Sequence, residues 1–66
     1  MEDFKMASRK VFSNEGNELE CYLNTDNELY IEVGETEGHF VDAWICLDKQ
    51  DVSELIICLQ EYYKEM

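Results

Sequence analysis

The first two thirds of the chain alternate between apolar and polar residues with a period of two. The alternation covers three segments, at 18–23, 28–33 and 39–47, and a shorter segment at 8–13 precedes them. Period-two patterns of this kind predict half-buried strands. Turn sequences rich in Asn, Asp and Gly separate the segments, so consecutive strands are expected to pair. The chain is therefore predicted to form an antiparallel β-meander of three or four strands.

From residue 49 onward the apolar positions take up the period of an α-helix. They lie on one stripe of the helical projection: Val52, Leu55, Ile56, Leu59 and Tyr63. This spacing predicts a helix over 49–64. Asp48 suits the N-cap because its carboxylate can accept a hydrogen bond from a free backbone N–H. Asp51 adds favourable negative charge to the first turn.

The simplest architecture is a single α+β domain in which the C-terminal helix packs on one face of the meander. The face predicted to lie under the helix is apolar: Leu19, Leu23, Leu29, Ile31, Val33, Val41, Ile45 and Leu47. Residues 1–7 stand outside this pattern. They are expected either to be flexible or to fold over the opposite sheet face through Phe4 and Met6.

The opposite face of the predicted sheet is rich in aromatic residues interleaved with acids. Its rings are Tyr22, Tyr30, Phe40 and Trp44. One helix cannot cover both faces, so these rings are expected to form an apolar patch larger than a soluble monomer usually exposes. Interfaces concentrate aromatic residues, and the face is therefore predicted to bind a partner. The alternative is that the N-terminal segment covers part of it.

The formal net charge of −11 narrows the class of partner. Sixteen acidic residues stand against five basic ones, and no Lys or Arg occurs between Val11 and Asp48. Such a chain repels phosphate, so direct binding to nucleic acid or to an anionic membrane is not expected. A basic protein surface is the predicted partner. The residues predicted to bind it are Tyr22, Glu28, Tyr30, Glu32, Glu35, Glu37, Phe40, Asp42, Trp44 and Ile57, the last because it lies off the apolar stripe of the helix.

No motif in the sequence predicts catalysis. His39 is the only histidine, and Glu35 and Glu37 precede it at alternate positions, so the three could meet at a metal if that segment were extended. The flanking glycines favour an exposed loop instead. The chain has neither a phosphate-binding glycine-rich loop nor a nucleophile motif. We expect no enzymatic activity, no metal and no cofactor.

Cysteine usage and the N-terminus bear on the compartment. Cys21, Cys46 and Cys58 form no C-x-x-C pair and lie in apolar stretches, where a free cysteine behaves as a small hydrophobe. A reducing, cytoplasmic setting is predicted. The acidic first residues do not resemble a signal peptide, and no apolar run has the length of a transmembrane helix.

One junction resembles a turn found in known proteins: Ala43-Trp44-Ile45-Cys46-Leu47-Asp48-Lys49-Gln50-Asp51-Val52-Ser53-Glu54-Leu55-Ile56. It is similar to the strand-to-helix turn of small meander-plus-helix proteins such as the single-stranded-DNA-binding transcriptional coactivators. The basic residues that those coactivators use are missing, so their activity is not expected here. In length, negative charge, scarcity of Gly and Pro and lack of a catalytic motif, the chain resembles small acidic bacteriophage proteins, including DNA mimics and anti-CRISPR inhibitors.

Three functional hypotheses from different classes follow. The preferred one is a non-catalytic inhibitor that docks on a basic, nucleic-acid-binding surface of another protein, in the host cytoplasm if the chain is phage-encoded. The alternative is a homo-oligomeric structural or regulatory module that buries its aromatic sheet face against its own copy. The third, a metal-dependent enzyme or sensor centred on His39, has the least support in the sequence.

Overall fold

A computed structural model of the chain describes residues 9–66, which form four strands followed by one helix. The elements are β1 (Lys10–Asn14), β2 (Asn17–Leu23), β3 (Leu29–Glu35), a short 3₁₀ helix (Glu37–His39), β4 (Val41–Leu47) and α1 (Lys49–Glu65). The strands form one antiparallel sheet in the order β1-β2-β3-β4. The predicted α+β class, a meander with a C-terminal helix, is confirmed. The predictions for residues 1–7, including cover by Phe4 and Met6, and the predicted strand start at Ser8 lie outside the described residues.

The hairpin between β1 and β2 closes through two residues in the left-handed backbone region. Glu15 has φ 52° and Gly16 has φ 84°. Two positive φ angles in a two-residue loop match the right-handed twist of the flanking strands, which is why such turns dominate tight hairpins. The Gly16 carbonyl also accepts a 2.8 Å hydrogen bond from the Thr36 N–H, which ties this hairpin to the loop after β3.

Asn24 organises the turn between β2 and β3. Its side-chain Oδ1 accepts hydrogen bonds of 2.9 Å from the backbone N–H groups of Asp26 and Glu28. Asn27 completes the turn with a φ of 63°, a conformation that Asn tolerates better than most residues. The side chain of Asn24 thus provides a hydrogen-bond acceptor for two backbone N–H groups of the turn.

The predicted N-cap of α1 is confirmed. Asp48 has extended backbone geometry, and its Oδ1 accepts a 2.9 Å hydrogen bond from the Asp51 N–H. The Asp51 carboxylate in turn accepts a 3.4 Å hydrogen bond from the Asp48 N–H, which completes a capping box. Lys64 lies in the last turn, where its charge is favourable.

A β-bulge at the start of β4 corrects part of the predicted alternation. Ala43 pairs with Val33 and Val41 pairs with Gly34, so Asp42 is an extra residue with no partner across the strand. The extra residue reverses the side-chain alternation. Val41 was predicted on the apolar face, but its pairing with Gly34 places it on the opposite face.

Gly34 is required where the bulge brings two backbones together. A Cβ built at this position would lie 1.7 Å from the carbonyl oxygen of Phe40. That oxygen accepts a 2.9 Å hydrogen bond from the Glu35 N–H, so the contact belongs to the strand pairing itself. Phe40 precedes β4. The prediction that it lies inside a strand over 39–47 is therefore wrong.

The strand register divides the sheet into two chemically different faces. Because directly paired residues lie on the same face, one face is apolar almost throughout. We call it the apolar face, and its members are Phe12, Leu19, Cys21, Leu23, Leu29, Ile31, Val33, Ala43, Ile45 and Leu47. Tyr22, Tyr30, Trp44 and most of the acids of the strands lie on the other face.

The helix does not cover the apolar face as predicted. Among the described residues only Gly34 is buried, and Phe12 and Ile45 on the apolar face remain 57% and 53% exposed. The sheet contacts of α1 are chiefly with β4. The reason is the connection: Asp48 alone separates β4 from α1, whereas such connections usually have about 2–6 residues in which to turn a helix back over its sheet.

The bulge contact generates a stability prediction. Gly34→Ala should lower the free energy of unfolding by about 2 kcal/mol or more, because the methyl group must displace the Phe40 carbonyl and break the pairing of β3 with β4. Gly16→Ala is the matched control, since its Cβ would meet nothing within 4 Å and only the positive φ is unfavourable; it should cost about 1 kcal/mol. Urea unfolding at one fixed protein concentration measures both. Equal losses would contradict the close approach at Gly34.

Candidate functional site

Three aromatic rings cross the sheet in a continuous row. Tyr22 of β2 and Tyr30 of β3 are directly paired, and their ring centroids lie 5.0 Å apart. Trp44 of β4 follows at 6.0 Å from Tyr30. These tilted arrangements lie in the distance range of favourable ring pairs. Trp44 is 65% exposed, so the row ends in an open indole surface.

Carboxylates adjoin the ring row on the same face. Glu20 and Glu32 are direct partners across β2 and β3, an arrangement of like charges that destabilises a sheet. Glu18 pairs with Gly34 one step further along. We call the surface that contains these acids and rings the ring face, and its members are Glu18, Glu20, Tyr22, Tyr30, Glu32, Phe40, Val41 and Trp44.

A separate donor holds each carboxylate of the opposed pair. The Arg9 guanidinium pairs with Glu20 at 2.6 Å, and its central carbon lies 4.6 Å from the ring centroid of Tyr22. The Tyr30 hydroxyl donates a 2.7 Å hydrogen bond to Glu32. These two contacts offset the repulsion between Glu20 and Glu32 and leave both carboxylates fixed in place.

The hydrogen bond to Glu32 changes the acidity of Tyr30. It raises the pKa of the Tyr30 phenol from 10.0 to about 12, with smaller contributions from desolvation and from the negative charge of Glu32. The neutral phenol is the form that donates, so deprotonation removes the hydrogen bond. The stabilisation is complete below pH 10 and is lost as the pH rises through about 12.

A shallow depression of about 70 Å³ opens beside the opposed acids. Its lining joins acidic side chains with apolar ones: Glu18, Glu20, Glu32, Gly34, Phe40 and Val41. Gly34 contributes no side chain, and the Phe40 ring lies against the backbone of Gly38. Carboxylates beside apolar carbon suit the end of a long cationic side chain, whose methylene stem prefers apolar surface.

Five of the ten residues predicted to bind a partner come together on the ring face. They are Tyr22, Tyr30, Glu32, Phe40 and Trp44. Phe40 reaches this face through the loop before β4, not through the strand alternation that was predicted for it.

The other five predicted residues lie elsewhere. Glu28 belongs to the turn before β3, and Glu35 pairs with Asn17 in the register of the apolar face. Glu37 lies in the 3₁₀ helix, and Asp42 is the extra residue of the bulge. Ile57 lies on α1 and is not part of the sheet. Glu28 and Asp42, which were predicted to lie among the rings, are therefore not members of the ring face.

Three members of the site, Arg9, Glu18 and Glu20, were not among the residues predicted to bind a partner, although Glu20 was expected on the face of Tyr22. Glu18 and Glu20 carried a usable signal, because they alternate with Leu19 and Cys21 and must share the face of Tyr22. Arg9 carried none, since its stacking on Tyr22 depends on the pairing of β1 with β2 and on a side-chain conformation.

The described part of the chain offers neither a metal site nor a disulfide bond. Among the side chains that the structure describes, which do not include that of His39, no group of three or more Cys, Asp and Glu could hold a metal ion. Cys21, Cys46 and Cys58 are all free thiols. Within residues 9–66 no helix combines the length and the apolar character that crossing a bilayer requires.

Comparisons with known proteins add no assignment. No family model, no curated protein and no solved structure matches the chain.

The contact between Tyr30 and Glu32 generates a titration prediction. Glu32→Gln should shift the pKa of Tyr30 from about 12 back toward 10.0, because the uncharged amide is a weaker acceptor and no longer opposes ionisation. Ultraviolet titration of the tyrosinates measures the shift, and Tyr30→Phe identifies the signal of Tyr30. Glu28→Gln is the control and should leave the titration unchanged. If Glu32→Gln still showed a tyrosine ionising near pH 12, the hydrogen bond between Tyr30 and Glu32 would be contradicted.

Proposed function

We propose that this protein is a non-catalytic binding module whose ring face docks on a basic surface of another protein. The observation that carries the proposal is the way in which the chain holds its own Arg9 on that face. A guanidinium between the Tyr22 ring and the Glu20 carboxylate is an intramolecular example of the contact proposed for the partner. Stacking and charge-assisted pairing together are characteristic of arginine recognition.

A second position of the same kind lies beside the first. Glu32 is held in a defined orientation by Tyr30, and the exposed Trp44 ring follows in the same row. An incoming guanidinium can stack on Trp44 while it pairs with Glu32, because both side chains come from directly paired positions of β3 and β4. Phe40 and Val41 offer apolar surface for the methylene groups of the same side chain.

The charge distribution supports a basic partner. Opposing Glu20 to Glu32 is unfavourable for the sheet, and natural sequences tend to break such local rules at functional sites. The net charge of −11 adds long-range attraction to a cationic surface. Complementary charge of this kind accelerates association and disfavours anionic competitors.

Docking of this type would act by covering the partner's surface. A basic protein surface commonly serves to hold nucleic acid, so an acidic module seated there would exclude the nucleic acid. The chain would then be an inhibitor, like the small acidic phage proteins that it resembles in composition, and it would act in a reducing cytoplasm. The proposal requires no cofactor and no direct contact with nucleic acid.

Self-association through the ring face is the less favourable alternative. A two-fold symmetric contact would bring the carboxylates of the ring face close to their own copies. Burying like charges together costs desolvation and gains no pairing. A basic partner supplies the missing charge, so the ring face fits a foreign surface better than a second copy.

Binding of short model peptides tests the proposal. An arginine-rich peptide should bind more tightly than a lysine-rich peptide of the same length and charge, because only guanidinium stacks well on the rings. Trp44→Ala should weaken binding of the arginine peptide about fivefold, equivalent to about 1 kcal/mol. Titration calorimetry at two salt concentrations provides the affinities, and the affinity should fall as salt rises.

A matched pair of charge variants separates the site from net charge. Glu32→Gln on the ring face and Glu61→Gln on α1 remove the same charge from the chain. Only Glu32→Gln should weaken binding strongly. Equal losses from the two variants, or an unchanged affinity in Trp44→Ala, would show that the peptide binds the chain by net charge alone and would contradict the proposal.

A further inference from the structure

The apolar face is a large apolar surface that the described residues leave exposed. It extends across all four strands, and its charged residues lie at its borders, where the register places Lys10 opposite Cys21 and Glu35 opposite Asn17. In the part of the chain that the structure describes, none of the ten side chains that define the apolar face is buried. Exposed apolar surface of this extent marks an interaction site in a soluble protein.

The helix presents a second apolar surface, which is half-buried at Val52 and Leu55 and open beyond them in the part of the chain that the structure describes. Its stripe points away from most of the sheet, with Ile56 50%, Leu59 53% and Tyr63 79% exposed. Glu54 and Glu61 lie on the opposite side of the helix. A single helix with one apolar stripe needs a partner surface, because packing of that stripe supplies most of the stability of a helix.

These two surfaces match each other in size. A 17-residue helix is about 25 Å long, and a seven-residue strand is about 23 Å long. Three strand spacings measure about 14 Å across, and a helix with its side chains is about 10–12 Å wide. One such helix therefore covers the length of the strands and most of the width of the sheet.

We propose that two copies of this chain exchange helices, so that α1 of each copy packs on the apolar face of the other. The single residue between β4 and α1 keeps the helix from turning back over its own sheet, and short connections of this kind favour exchange between copies. Because the dimer is two-fold symmetric, both helix stripes and both apolar faces are then buried. The dimer is independent of the ring face and thus goes beyond the proposed function.

Charge and area favour a second copy as the occupant. Self-association of a chain with net charge −11 is least costly where carboxylates are few. On the apolar face the register places Glu35 at the border, and in the exchanged dimer the ring faces, Glu54 and Glu61 all point outward. Each helix footprint is about 25 by 10 Å, so two contacts counted on both partners bury on the order of 1,000 Å², which is about the lower limit for a biological interface.

Disulfide trapping between two differently labelled chains tests the exchange. The first chain keeps Cys21 at the centre of the apolar face and carries Cys46→Ser and Cys58→Ser. The second carries Leu59→Cys on the apolar stripe, with Cys21→Ser, Cys46→Ser and Cys58→Ser. The two are mixed while reduced, allowed to exchange subunits and then oxidised. A covalent heterodimer on a non-reducing gel is expected.

The control places the helix cysteine on the side that faces away from the sheet. Glu61→Cys, in the same background as Leu59→Cys, should give several-fold less heterodimer, because it lies opposite the stripe. If both cysteines are placed in one chain, Cys21 and Leu59→Cys should again join different copies. Cross-linking within a single chain, without heterodimer in the mixture, would show that the helix closes over its own sheet and would overturn the exchange.

Sedimentation equilibrium of the unaltered chain is the second measurement and does not depend on the variants folding. The expected mass is twice that of the 7.8 kDa chain, with a melting temperature that rises with protein concentration. A monomeric mass at every concentration would overturn the proposal. So would a dimer that dissociates in Trp44→Ala and gives no Leu59→Cys heterodimer, because that dimer would use the ring face.

Discussion

The register between the two central strands sorts the side chains of this protein by chemistry. Pairing Leu19 with Val33 and Cys21 with Ile31 gathers apolar carbon on one face, and the same register necessarily places Glu20 against Glu32 on the other. A slip by one residue would turn every apolar side chain to the opposite face. Two unusual surfaces thus have one origin: the acidic ring face and the apolar face, whose side chains are not buried by residues 9–66.

The ring face shows how a locally unfavourable arrangement is held in place. The repulsion between Glu20 and Glu32 is offset by two contacts. The Arg9 guanidinium pairs with Glu20, and the Tyr30 hydroxyl donates a hydrogen bond to Glu32. Both donors also contact the aromatic row. Arg9 stacks on the Tyr22 ring, and Tyr30 is itself a ring of the row. The acids are therefore fixed without being neutralised as a group, which is the condition for electrostatic recognition by a preorganised surface.

Period-two alternation was enough to predict β2, β3 and their two faces, and the spacing of helix and cap residues predicted α1 and Asp48. The start of β4 was predicted wrongly because a bulge adds one residue without any periodic signal; only Gly34, on the neighbouring strand, marks where it occurs. The site was half predicted. The bulge places Val41 on the ring face and leaves Asp42 without a partner across the strand, and the position of Arg9 depends on a tertiary contact. The apolar stripe of α1, which includes Leu59, indicates that the helix packs on another surface. It does not indicate whether that surface belongs to the same chain or to a second copy.

The two faces are proposed to work independently, with helices exchanged across one and a basic partner bound on the other. Native mass spectrometry of the chain saturated with an arginine-rich peptide tests this most directly. The account predicts a complex of two chains with two peptides, because the ring faces point outward from the dimer. A complex of one chain with one peptide, formed at the expense of the dimer, would show that the peptide and the second copy compete for the same surface and would contradict the account.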